Sequence, residues 1–110
     1  MKQKIETIIT ALTGDRVIVC KQEMLHAMRH FVLPKDIFLE LLERVLKEPT
    51  EIFIEELKEG KEYHLFYRIF EKRYILAIVK VIENGAFFTS MYTTGEDIRN
   101  SHKKFKKWKI

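Results

Sequence analysis

The spacing of apolar residues changes at Pro49, and that change decides which folds are open to this chain. Upstream, Ile37, Phe38, Leu41, Leu42, Val45 and Leu46 recur three and four apart, the stripe of a helix that buries one side. Pro34 opens that helix as a first-turn proline and Pro49 closes it. Residues 21–31 repeat the pattern with Met24, Leu25, Met28 and Phe31. Residues 2–12 do so with Ile5, Ile8, Ile9 and Leu12, which predicts a helical extension over residues 1–14, broken at Gly14-Asp15. Between these segments, Arg16-Val17-Ile18-Val19-Cys20 is a short β-branched run and reads as a strand.

Downstream of Pro49 the period becomes two. Strands are expected over 51–57, 62–70, 74–81 and 86–92, with turns at 58–61, at Glu71-Lys72 and at Asn84-Gly85, a strong hairpin signal. Thr94-Gly95-Glu96-Asp97 can cap a last helix running to about Lys107. Helices followed by a strand meander imply an α+β fold. The expectation is one domain, 1–110, with N-terminal helices packed on a four-stranded antiparallel sheet and a basic C-terminal helix within the 99–110 tail.

Composition removes several classes. With 46% apolar residues and eight Phe among 110, the chain is too hydrophobic for disorder. A single cysteine, Cys20, excludes an internal disulfide framework. No apolar run approaches the length of a membrane span, and the first twelve residues do not read as a signal peptide. The expectation is a cytoplasmic domain that does not engage membranes.

Charge is unevenly distributed. Residues 1–60 carry 9 basic and 11 acidic side chains, whereas residues 61–110 carry 11 basic and 5 acidic. Arg99, Lys103, Lys104, Lys106, Lys107 and Lys109 fall within twelve residues that contain no acid. Such a cluster suits a polyanion, and Phe105 and Trp108 between the lysines could stack on bases. A solvated tail that only aids solubility would give the same composition.

His26 and His30, four apart with Arg29 between them, share a face of the predicted helix. Two surface histidines, a fragment of a metal site or an acid–base pair would each give this spacing. The His-x-x-x-His here lacks the Glu of a zinc-binding His-Glu-x-x-His, and Cys20, His64 and His102 are scattered, so no metal or other cofactor is expected. Acid–base work suits imidazole, which titrates near neutrality. On the strands, Arg68 could stabilise a pentacovalent phosphorus, and a hydroxyl from the face that Ser90 and Tyr92 share, or from the face that Thr89 and Thr93 share, could donate to its oxygens.

These residues also carry a family resemblance. From Arg16 to Lys109 the chain resembles the phage-type nucleases of the barnase–EndoU–colicin–RelE group. The likeness lies in a short strand, a helix with His-x-x-x-His, a second helix ending in Lys47-Glu48-Pro49-Thr50, the strand motif Leu65-Phe66-Tyr67-Arg68, and a strand ending in Ser90-Met91-Tyr92. The resemblance implies a metal-independent endoribonuclease that uses the substrate's own 2′-hydroxyl, with a site at the helix–sheet junction. His26 or His30 would be the base, Arg68 the clamp, and Ser90 or its neighbour Thr89 the hydroxyl, backed by Tyr92. RNA would be the partner, held by Arg29, Lys103, Lys104, Lys106, Lys107 and Trp108, and a neutralising protein would be a second partner. A non-catalytic nucleic-acid-binding module built on the basic tail is the competing expectation.

Overall fold

The computed structural model describes residues 4–110. Seven strands form one mixed sheet in the order β1-β2-β6-β5-β4-β3-β7, with two helices. The strands are β1 (Ile5–Thr10), β2 (Arg16–Cys20), β3 (Glu51–Glu56), β4 (Glu62–Phe70), β5 (Arg73–Ile82), β6 (Gly85–Thr94) and β7 (Lys106–Trp108). The helices are α1 (Lys21–Met28) and α2 (Lys35–Lys47). The expected four-stranded antiparallel sheet with a C-terminal helix is therefore corrected in strand number, in strand sense and at both ends of the chain.

At the N-terminus, the expected helix is a strand; its residues 2 and 3 lie outside the described residues. Ile5-Glu6-Thr7-Ile8-Ile9-Thr10 is β-branched at every position but one, and such side chains lose rotamer freedom in a helix and pack well on a pleated surface. Ile8 pairs with Ile18 and Ile9 with Val17; Ile9 is buried and Ile8 exposed, the alternation of a strand. The hairpin closes through Ala11–Asp15, where Gly14 takes φ +93°. β2 then runs parallel to β6, Val17 beside Ala86 and Ile18 beside Phe87. Where β2 ends, α1 begins at once and continues alongside β6.

At the C-terminus, one 3₁₀ turn, Arg99–His102, and the three-residue β7 stand in place of a helix. A helix there would set Lys103 against Lys106 and Lys107 on one face, a repulsive arrangement. As a strand, β7 instead turns Trp108 toward the core, opposite Ile52, and Lys107 to the other face, opposite Phe53.

One face of the sheet holds the main core. Met24 and Ala27 of α1 and Phe38, Leu42, Val45 and Leu46 of α2 pack on Ile52, Phe66, Ile75, Ala77, Val79, Phe88 and Met91. The opposite face carries a smaller cluster of Phe53, Leu65, Tyr67 and Leu76. Residues 95–105 cross this second face as a strap, seating Ile98 and Phe105 on the cluster before the chain joins β3 as β7.

Candidate active site

Register assigns each candidate to a face. Ser90 lies opposite Ile78, and Tyr92 opposite Leu76, which in turn pairs with Tyr67. All of these belong to the strap face. A bulge at Ile78/Val79 makes this possible, because the extra residue lets Phe88 and Met91, three apart, both enter the main core while Ser90 and Tyr92 turn outward. Thr89 is the extra residue. Its hydroxyl donates to the Ile78 carbonyl at 2.7 Å, which leaves Ser90 as the hydroxyl presented to the strap face.

Arg68 belongs to the other face. It pairs with Ile75, which pairs with Thr93, and its neighbours two residues away, Phe66 and Phe70, pack with the main core. Its guanidinium stacks over Phe70 at 4.9 Å and donates to the carbonyl of Glu48, at the end of α2. A cation there complements the exposed carbonyls and the negative end of the helix dipole. The Lys47-Glu48-Pro49-Thr50 segment is tied to the same strand: the Thr50 amide donates to the Tyr67 carbonyl and the Ile69 amide to the Thr50 hydroxyl. Arg68 and Ser90 thus stand on opposite faces of the sheet and are not brought to one phosphate.

The histidine pair is divided too. α1 ends at Met28, with Arg29 as its cap, so His26 lies on the helix and His30 in the turn beyond it. Both are exposed, as is Arg29. Because α1 runs along the edge of β6 rather than over the middle of the sheet, its end lies beside the far half of that strand. The His30 ring comes to 6.2 Å from that of Tyr92, centroid to centroid.

The strap brings in a second imidazole, His102, which in the sequence stands apart from the other histidines. The Tyr67 hydroxyl and His102 Nδ1 are 2.5 Å apart, and His102 stacks on Phe105, ring centroids 5.8 Å apart. Burial moves the His102 pKa below that of a free histidine, so the neutral ring is favoured. Burial also pushes both tyrosines upward, with Tyr92 close by adding to the shift of Tyr67, so both hydroxyls stay protonated at neutral pH. Arg99, paired with Asp97 inside the strap at 2.7 Å, anchors it to the sheet by bonding Glu51 at 3.1 Å and lying over Tyr74. Its hydrogen bonds hold the Asp97 carboxyl down at about 2.

The tail's aromatics are committed to the protein. Trp108 packs on the main core and Phe105 on the smaller cluster. Lys103, Lys104, Lys106 and Lys107 are exposed; Lys107 lies 3.7 Å from Glu51. Among the described residues, no group of three or more His, Cys, Asp or Glu is placed to hold a metal ion, and no helix is long and apolar enough to cross a membrane. Comparison of the chain with protein-family models, with curated proteins and with solved structures found no match.

Proposed function

We propose that this chain is an RNA-cleaving domain whose chemistry lies on the strap face, between the end of α1 and the strap. The observation that supports this reading is the approach of His30 to Tyr92, on the face that also carries Ser90, Tyr67 and His102. In this reading one imidazole takes the proton of a ribose 2′-hydroxyl, which attacks the adjacent phosphorus. The other imidazole protonates the departing 5′-oxygen, leaving a 2′,3′-cyclic phosphate. Tyr67 orients His102, since its hydroxyl can donate to or accept from Nδ1. Ser90 and the protonated Tyr92 supply donors for the phosphate oxygens, and Lys103 and Lys104, next to His102, supply positive charge. Arg68 has no part in the chemistry; it closes α2.

Incubation of the chain with mixed RNA in excess EDTA tests this. His30→Ala and His102→Ala should each slow cleavage about 100-fold or more, the usual contribution of a general acid or base. His26→Ala should leave the rate unchanged, and RNA made with 2′-deoxyribose at the cleavage site should resist. Cleavage abolished by EDTA, or insensitive to both histidine substitutions, would refute the assignment.

A second reading, a non-catalytic nucleic-acid-binding module, is favoured by one observation. β7 and its flanks mount exposed lysines along a sheet edge and hold them there through the packed Phe105 and Trp108. It requires salt-sensitive RNA binding that weakens with each of Lys103, Lys104 and Lys106 replaced by Ala, and no cleavage at all.

A further inference from the structure

The two edges of the sheet are treated in opposite ways. β7 is three residues long and two of the three are lysines, the usual means of keeping an edge from pairing. β1 has twice that length, contains no proline or lysine, and exposes Ile5 and Ile8 at 59% and 43%. A bulge at Glu6 sets Ile5, opposite Cys20, and Ile8, opposite Ile18, on one face although they are three apart. Among the described residues it is the only such interruption on the β1 side of the hairpin. Glu6, the one charge in the strand, is neutralised by Lys35 at the start of α2. Among the described residues, nothing pairs with the outer side of β1.

We infer that β1 is a dimerisation edge, and that its occupant is β1 of a second copy of this chain, paired antiparallel. The strand suits itself. With Ile5 of one copy opposite Ile8 of the other, the two-fold axis repeats the same contact on both sides of the seam. In that register Glu6 faces Thr7, so no like charges meet. Pairing of β1 with β7 of another copy would be head-to-tail and would propagate without closing, whereas β1 with β1 closes at two. The axis of such a pair stands perpendicular to the sheet, so both strap faces look the same way and form one continuous surface of fourteen strands. This inference does not depend on the catalytic reading.

Sedimentation velocity from low to high micromolar concentration tests it, with circular dichroism to check folding. The wild-type chain should show a monomer–dimer equilibrium. Ile8→Lys and, separately, Ile5→Lys should raise the dissociation constant at least tenfold, while Lys107→Ala should leave it unchanged. Amide exchange in β1 should slow as concentration rises, a readout that does not depend on any variant folding. A wild-type chain that stays monomeric throughout, or a dimer that both lysine variants leave intact, would overturn the inference.

Discussion

The two faces of this sheet are covered by different means. On one, two helices seal a continuous apolar layer in which Phe38, Leu42, Phe66 and Met91 are fully buried. On the other, a strap with a single 3₁₀ turn lies over a cluster of four buried residues, and beside the apolar seats of Ile98 and Phe105 it is held by polar contacts, Arg99 to Glu51 and His102 to Tyr67. Apolar burial is non-directional and scales with area, so the helix face supplies stability. Hydrogen bonds and ion pairs contribute less net energy but fix geometry, so the strap face is suited to holding side chains in defined positions.

The largest loss is expected on the helix face. Leu42→Ala should cost roughly 2–5 kcal/mol, the range for truncating a fully buried leucine, measured by urea unfolding. A cost below about 1 kcal/mol would mean that the two faces do not divide the work as described.

On the strap face, Tyr67→Phe should cost much less. It removes one hydroxyl and keeps the ring, so the stability loss should be only about 0.5–1.5 kcal/mol, the net worth of one hydrogen bond. If the catalytic reading holds, RNA cleavage should fall by far more than that loss accounts for, with a changed pH profile. Equal, small losses in both would assign Tyr67 to packing alone.

The smallest expected effect is in pH dependence. His102 faces Tyr67, Phe53 and Phe105, with Glu55 and Lys104 close enough to act on its charge, and burial depresses its pKa in the folded chain. The unfolded chain therefore binds more protons between the folded pKa and the ordinary histidine value of about 6.5. The stabilisation is complete above about 6.5 and is lost as pH falls toward the folded value. His102→Gln should flatten the dependence of the unfolding midpoint over that interval. A slope unchanged by the substitution would place the acid sensitivity elsewhere.

Much of the middle of the chain was legible in the sequence. β2, α2 and β3 to β6 fall within a few residues of the segments their periodicity marks, because propensity, turn residues and burial agree there. The two ends were misread for distinct physical reasons. In 5–10, helical spacing coincided with a β-branched composition, and pairing with β2 decided the outcome. In 99–108, a cap-like sequence preceded lysines that a helix would have crowded together. The candidate site was legible only in part. Periodicity placed Ser90 and Tyr92 on one face, but the bulge that keeps them there is a tertiary feature. The faces of Arg68 and Ser90 depend on register across three strands, which no local pattern encodes. His102 could have been found only by knowing that the strap returns across the sheet.

Among the described residues the one parallel pairing, β2 beside β6, joins segments near opposite ends of the chain. Such a contact closes a large loop and is entropically slow to form. The antiparallel meander from β3 to β6 needs only neighbouring strands and can assemble without it. The opening hairpin and α1 then have a seat beside β6 only once that strand has been synthesised. His30 can meet Tyr92 only once β6 is in place, so a chain interrupted before β6 would carry His30 without the ring beside which it packs.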